Sequence, residues 1–170
     1  PGRGWGPIEE ADMSRFEHTL RINLTSAYTL THLCTPALRD SGGSIVNVSS
    51  ALSWMVDKNF SSYAAAKAGM NQMTKVMSYE LSPGVRVNAV APGAIETPSM
   101  EYITSNPKRK AEAERWIPLQ RLGQPRDIAL GVLYLASPAS EFVSGKILEI
   151  DGGMQAIPGT AIQEIIAKKQ

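Results

Sequence analysis

Cysteine is nearly absent: Cys34 stands alone in 170 residues, which excludes an internal disulfide framework and points to a reducing compartment. Its place in an apolar helical pattern predicts a buried thiol. Histidine occurs only twice, and neither His18 nor His32 has other donors at metal-ligand spacing, so no metal is expected. No apolar run approaches the ~18 residues that a membrane span needs. No charged-then-apolar leader opens the chain, and a cytoplasmic setting is expected. An excess of either charge is missing too. The 17 basic and 16 acidic side chains leave a net charge of +1, with no footprint for nucleic acid or a membrane surface. What remains, 43% hydrophobic, suits a globular domain with a sizeable core that works on small molecules. Pro1 stands where a natural chain would begin with methionine, so a longer natural chain is expected.

Period and punctuation organise what is present. Residues 12–38 place Phe16, Leu20, Leu24, Ala27, Leu30 and Cys34 at three- and four-residue spacing, which predicts a helix pair or one bent helix. After Gly42-Gly43 comes "SIVNVSS" (44–50), short and β-branched like a buried strand. A helix behind Ser61 or Ser62 runs to Pro83-Gly84. "VRVNAVAPG" (85–93) reads as a second strand, Lys108 to Trp116 as a short helix, Pro125 to Leu135 as a longer one, and "KILEIDGG" (146–153) as a third strand. Residues 153–170 read as a surface tail. Strands alternating with helices imply an α/β fold with a parallel sheet.

In such sheets ligands lie beyond the carboxyl ends of the strands, so Ser49-Ser50, Pro92 to Thr97 and Asp151 to Gly153 are where chemistry is expected. Ser50 and Tyr63 would meet at that rim. A free phenol, near pKa 10, is a poor base at neutral pH. An ammonium ~4.5 Å away, at an effective dielectric near 20, supplies roughly 3 to 4 kcal/mol, or about two to three pKa units. Lys67, four residues after Tyr63, is placed to supply it; the helix N-terminus pushes the same way and burial opposes both. Alone, a tyrosine and lysine at this interval are as well explained by a solvated helix face. The context of Asn23, Ser50 and the "NAVAPGAIET" turn (88–97) favours an acid/base pair.

Taken together, "INL" with Asn23, "GGSIVNVSS" with Ser50, "YAAAK" with Tyr63 and Lys67, "RVNAVAPGAIET" and "SGKILEIDGG" resemble the short-chain dehydrogenase/reductase family from Gly6 to Gly153. The resemblance implies a Rossmann-type doubly wound parallel sheet and an NAD- or NADP-dependent interconversion of a secondary alcohol and a ketone. It implies Tyr63 as general acid/base, Ser50 holding the substrate oxygen, Lys67 lowering the phenol pKa and binding the nicotinamide ribose, and Asn23 anchoring a relay water. Pro92, Gly93, Ile95 and Thr97 would lie along the nicotinamide. A homodimer or homotetramer is also implied, with the Met70, Met73, Met77 and the Ala27, Leu30, Cys34 stripes divided between core and subunit contact. Family members carry earlier strands, a glycine-rich phosphate turn and the residue that reads the ribose 2′ position. None is found here, and "GRGWG" (2–6) has no strand before it. Residues 1–170 are therefore expected to be the C-terminal portion of a single domain, with the edge of the strand 44–50 left to pair with a preceding segment.

Substrate signals are thinner. Trp54, Met55 and Phe60 from one loop, with Met100, Tyr102, Ile103 and Trp116 from another, suggest an apolar pocket for a bulky or cyclic alcohol. Residues 118–148 resemble 7α-hydroxysteroid dehydrogenases, whereas 106–119 and "DGGM" (151–154) resemble glucose 1-dehydrogenases. A 3-oxoacyl carrier-protein reductase is a third reading. Enoyl reductases of related fold place six residues between tyrosine and lysine and are disfavoured. A non-catalytic nucleotide sensor or assembly subunit is the rival from another class, and it has no need of a tuned phenol.

Overall fold

The computed structural model describes residues 7–155. The 2–6 stretch, and all but the first three residues of the expected tail, lie outside them. Strands β1 (Ser44–Val48), β2 (Arg86–Pro92) and β3 (Ile147–Ile150) form one parallel sheet in that order. Ser44 faces Arg86 and Val48 faces Val90, while Ala89 faces Ile147 and Pro92 faces Ile150. β2 is central, and its Val87, Ala89, Val90 and Ala91 are fully enclosed. Burial on both faces is why its sequence runs apolar without alternation.

The helices take both faces. Helix α3 (Ser61–Glu80) connects β1 to β2, and its Met77 packs with Val85 and Val87, joined by Met73 and Leu38. The methionine stripe is thus core. Helix α6 (Pro125–Ala136) lies on the opposite face, where Gly131 sits against Ile150 and Val90. Arg86 fastens it: Nη1 donates to Leu135 O at 3.0 Å, Ser140 Oγ at 3.1 Å and Val143 O at 3.3 Å, and Nη2 donates to Ser137 O at 3.4 Å. A guanidinium here satisfies carbonyls that the helix end leaves open.

Helix α1 (Met13–Leu20), capped by Asp12, and α2 (Ser26–Ser41) are one continuous run interrupted by a π segment, Arg21–Thr25. The bend expected there is this change of winding. α2 ends at Gly42, whose φ of 62° suits a residue without Cβ. Two short helices, α4 (Glu101–Thr104) and α5 (Pro107–Arg115), fill the segment before α6. The N-cap of α3 is Phe60, and Ser61 and Ser62 already belong to the helix.

One expectation fails on α2. Cys34 is exposed, not buried. The helix sends Leu38 into the core, buries Thr31 and ties Arg39 Nη2 to Glu80 O of α3 at 3.2 Å, but Tyr28, Leu30 and Leu33 are exposed along with Cys34. Among the described residues β1 pairs only with β2, and its outer edge is open.

Candidate active site

Ser50 leaves the end of β1 and caps a 3₁₀ turn (Ala51–Ser53), its Oγ accepting from Leu52 N at 3.2 Å. With one lone pair occupied by a backbone donor, its proton is free for another oxygen. The Ser50 hydroxyl hydrogen-bonds the Tyr63 phenol, which projects from the first turn of α3. Lys67 is one turn further on the same face, 7% exposed, its Nζ donating to Val48 O at 2.8 Å and lying 5.5 Å from the Tyr63 ring centroid. The end of β1 and helix α3 thus bring a hydroxyl, a phenol and an ammonium to the carboxyl rim of the sheet.

Their electrostatics differ from the sequence expectation. Burial pushes the Tyr63 phenol above its ordinary value, with the Ser50 hydrogen bond pulling back more weakly. Burial also lowers Lys67 to about 8. Burial of the phenol outweighs any pull from the Lys67 ammonium, whose Nζ is turned to the Val48 carbonyl. At neutral pH the phenol keeps its proton.

Asn23 sits in the π segment, its amide donating to Thr19 O at 3.0 Å, with no hydrogen bond to Lys67 among the described residues. Its neighbour Leu24 packs on α3, where a Cβ on Gly69 would come within 3.1 Å of Leu24 Cδ2. Pro92 closes β2, and Gly93 donates to Ile150 O at 3.1 Å. A Cβ on Gly93 would lie 2.7 Å from Asp151 Cα, so only glycine lets the chain leave the sheet along this line. Ile95 bridges to Gly123, and Thr97 Oγ1 bonds Ser99 Oγ at 2.9 Å.

Between them lies a residue the sequence reading missed. Glu96 accepts from Lys110 Nζ at 3.0 and 3.1 Å and from Gln124 Nε2 at 2.7 Å, joining α5 and the start of α6 to the exit loop. No short-range pattern marks it, since its partners are 14 and 28 positions away.

The candidate substrate residues differ in burial. Trp54 is half-buried, its indole Nε1 enclosed without a hydrogen-bond partner, and Phe60 and Met100 are also half-buried. Trp116 is 77% exposed just beyond α5, so it lines no enclosed pocket. A cavity of about 510 Å³ opens beside Ile95, Leu119, Leu130 and Asp151 and is lined by none of Ser50, Tyr63 or Lys67.

A parallel sheet with helices on both faces and a Ser50–Tyr63–Lys67 set at its carboxyl rim defines a Rossmann-type class. A family model described as enoyl-(acyl carrier protein) reductase matches residues 3–155. The chain belongs to the short-chain dehydrogenase/reductase family. It is 42% identical over 135 residues to an uncharacterized oxidoreductase of Mycobacterium tuberculosis, covering 78% of this chain and 51% of that protein. It is 39% identical over 141 residues to 3-oxoacyl-[acyl-carrier-protein] reductase of Thermotoga maritima, covering 82% and 56%. Its fold matches a 7α-hydroxysteroid dehydrogenase complexed with NADH and 7-oxo glycochenodeoxycholic acid at a TM-score of 0.82 and 34% identity, over 89% of this chain and 61% of that one. The chain thus spans about half to three fifths of the length of these relatives.

Proposed function

We propose that this chain carries the acid/base half of an NAD(P)-dependent oxidoreductase that interconverts a secondary alcohol and a ketone. The observation that carries this reading is the Ser50–Tyr63 hydrogen bond one helical turn from a buried lysine. Ser50 positions the substrate oxygen, and Tyr63 donates its proton to a carbonyl or accepts one from an alcohol. Lys67, with one of its three donors on Val48 O, has the others for ribose hydroxyls, which fits a nicotinamide nucleoside at this rim. Pro92, Gly93, Ile95 and Thr97 would border its ring. The bound dinucleotide would supply the hydride. Asn23, near the Lys67 turn, would hold a water through which protons exchange with solvent.

An apolar or cyclic alcohol is the substrate class we favour, supported by the half-buried Trp54, Phe60 and Met100 and by the steroid-binding relative. Acyl thioesters are the second reading, supported by the Thermotoga reductase, and sugars the third. The interval of four between Tyr63 and Lys67 favours carbonyl over enoyl chemistry despite the description of the family model. A homodimer or homotetramer is part of the proposal, supported by the apolar Tyr28, Leu30 and Leu33 that α2 leaves exposed. The test is a panel of hydroxysteroids, aldoses and 3-oxoacyl thioesters assayed on the full-length protein with NAD and NADP. Steroid-like turnover is expected to exceed the others; turnover of none, with dinucleotide bound, would favour the nucleotide-sensing alternative.

A further inference from the structure

Four polar pairs join α3 to the end of β1. Thr74, Asn71, Lys67 and Tyr63 share one helix face, at offsets that return to the same side each turn. Asn47 Nδ2 donates to Thr74 Oγ1 at 2.9 Å, and Ser49 Oγ donates to Asn71 Oδ1 at 2.5 Å. Lys67 Nζ bonds Val48 O, and Ser50 bonds Tyr63. Asn71 differs from the others in reaching both sides of Ser50. Its Nδ2 donates to Ser53 Oγ at 2.7 Å, and Ser53 Oγ donates to the Ser50 carbonyl at 2.6 Å.

The proton directions along this chain are consistent. Ser49 has one hydroxyl proton and gives it to the amide oxygen, much the nearer of its two acceptors, Lys67 O lying at 3.4 Å; the amide NH₂ gives one to Ser53; Ser53 gives its own to Ser50 O. Every bond points toward the turn that carries Leu52 N, the donor that fixes Ser50 Oγ. Ser49 is buried, so this hydrogen bond meets little competition from water. A leucine at 71 would keep the volume and remove both ends of the chain at once.

We infer that Asn71 is a positioning residue for Ser50, clamping the 49–53 turn so that the Ser50 hydroxyl stays on the Tyr63 phenol. This rests on the oxidoreductase reading for its consequence in turnover, but the geometry makes a prediction about the phenol itself. The Ser50 hydrogen bond pulls the Tyr63 pKa down against burial. Loosening the clamp weakens that pull, and the phenol pKa moves further up.

Two readouts on the full-length protein test it. In Asn71→Leu and Asn71→Ala, the pKa of Tyr63, followed by the ¹³Cζ shift of labelled tyrosine with Tyr63→Phe to assign the signal, is expected to rise. With substrate, kcat is expected to fall about ten- to a hundredfold, as for a misplaced reacting group. Substrate KM and dinucleotide affinity should change less than about twofold, and the acid limb of the kcat profile for alcohol oxidation should move to higher pH. Ser53→Ala should reproduce part of the loss, and the double variant Asn71→Ala/Ser53→Ala should be no worse than Asn71→Ala alone. Gln72→Ala, on the exposed side of the helix, should match the parent. A Tyr63 pKa unmoved in both Asn71 variants that retain the parent's circular dichroism would overturn the inference whether or not turnover is found. A parent that turns over no alcohol while its phenol pKa does respond to Asn71→Leu would leave the clamp standing and refute the oxidoreductase reading.

Discussion

Tyr63 is half-buried at the start of α3, and that burial raises the pKa of its phenol. Because the phenol pKa lies above its ordinary value, the protonated form dominates through neutral pH. On the proposed oxidoreductase reading, Tyr63 as an acid is then ready for carbonyl reduction, and that rate should fall only as pH rises through the phenol pKa. As a base it needs the phenolate, so alcohol oxidation should climb with pH over the same range. Initial rates in both directions from pH 6 to 10 check the sign, and an oxidation rate already level below pH 8 would contradict it. Tyr63→Phe keeps the ring and removes the proton, so it should abolish both directions while leaving dinucleotide affinity, read by titration, within about twofold. The tyrosine, lysine and serine were legible in the sequence because strand ends and helix starts are punctuated by glycine, proline and serine. The direction of the phenol shift was not. It depends on how far burial outweighs a nearby charge, and on where the Lys67 ammonium points, which no spacing encodes.

Elements rather than residues hold the mouth of the site. The exit from β2 is bridged by Ile95 to Gly123 and latched by Glu96 to Lys110 on α5 and to Gln124 at the cap of α6. The same cap holds Asp127, whose carboxyl is kept near 2 by the Arg121 guanidinium and then by Gln124 N–H. α5 has no buried residue of its own and leans on this latch. Lys110→Met should therefore let α4 and α5 move away from the rim, raising substrate KM several-fold with little change in kcat and none in the pH profile. Steady-state kinetics separate this from the Asn71 effect, and a kcat loss with unchanged KM would refute it. Helices α3, α5 and α6 were readable to within a residue or two from caps, prolines and period. The π segment at Asn23 was readable only as a bend, since a change of winding adds no residue type that a helix excludes. α4 is a single turn, too short to leave a periodic signature. The exposed Cys34 misled for a related reason: an apolar stripe marks a face that will be covered without saying by what.

On the scale of the whole molecule, the sheet is asymmetric. β2 is flanked on both sides, whereas β1 offers the backbone donors and acceptors of its outer edge to no strand among the described residues, and Val48 beside the site is 49% exposed. An open edge on an apolar strand invites pairing with another chain. The relatives are longer than the part this chain matches, and the sequence holds no glycine-rich turn of the kind that seats a pyrophosphate on a helix N-terminus. We therefore expect β1 to be completed by a strand from outside residues 7–155. Domains of this kind are stable by only ~5 to 15 kcal/mol, so an unpaired edge and an uncovered helix face together can remove most of that margin. Residues 1–170 produced alone should then associate or unfold without a cooperative transition, and should bind NAD and NADP too weakly for titration at micromolar concentration. A monomer by light scattering, melting cooperatively and binding either dinucleotide at micromolar affinity, would show that the three-stranded sheet is sufficient by itself.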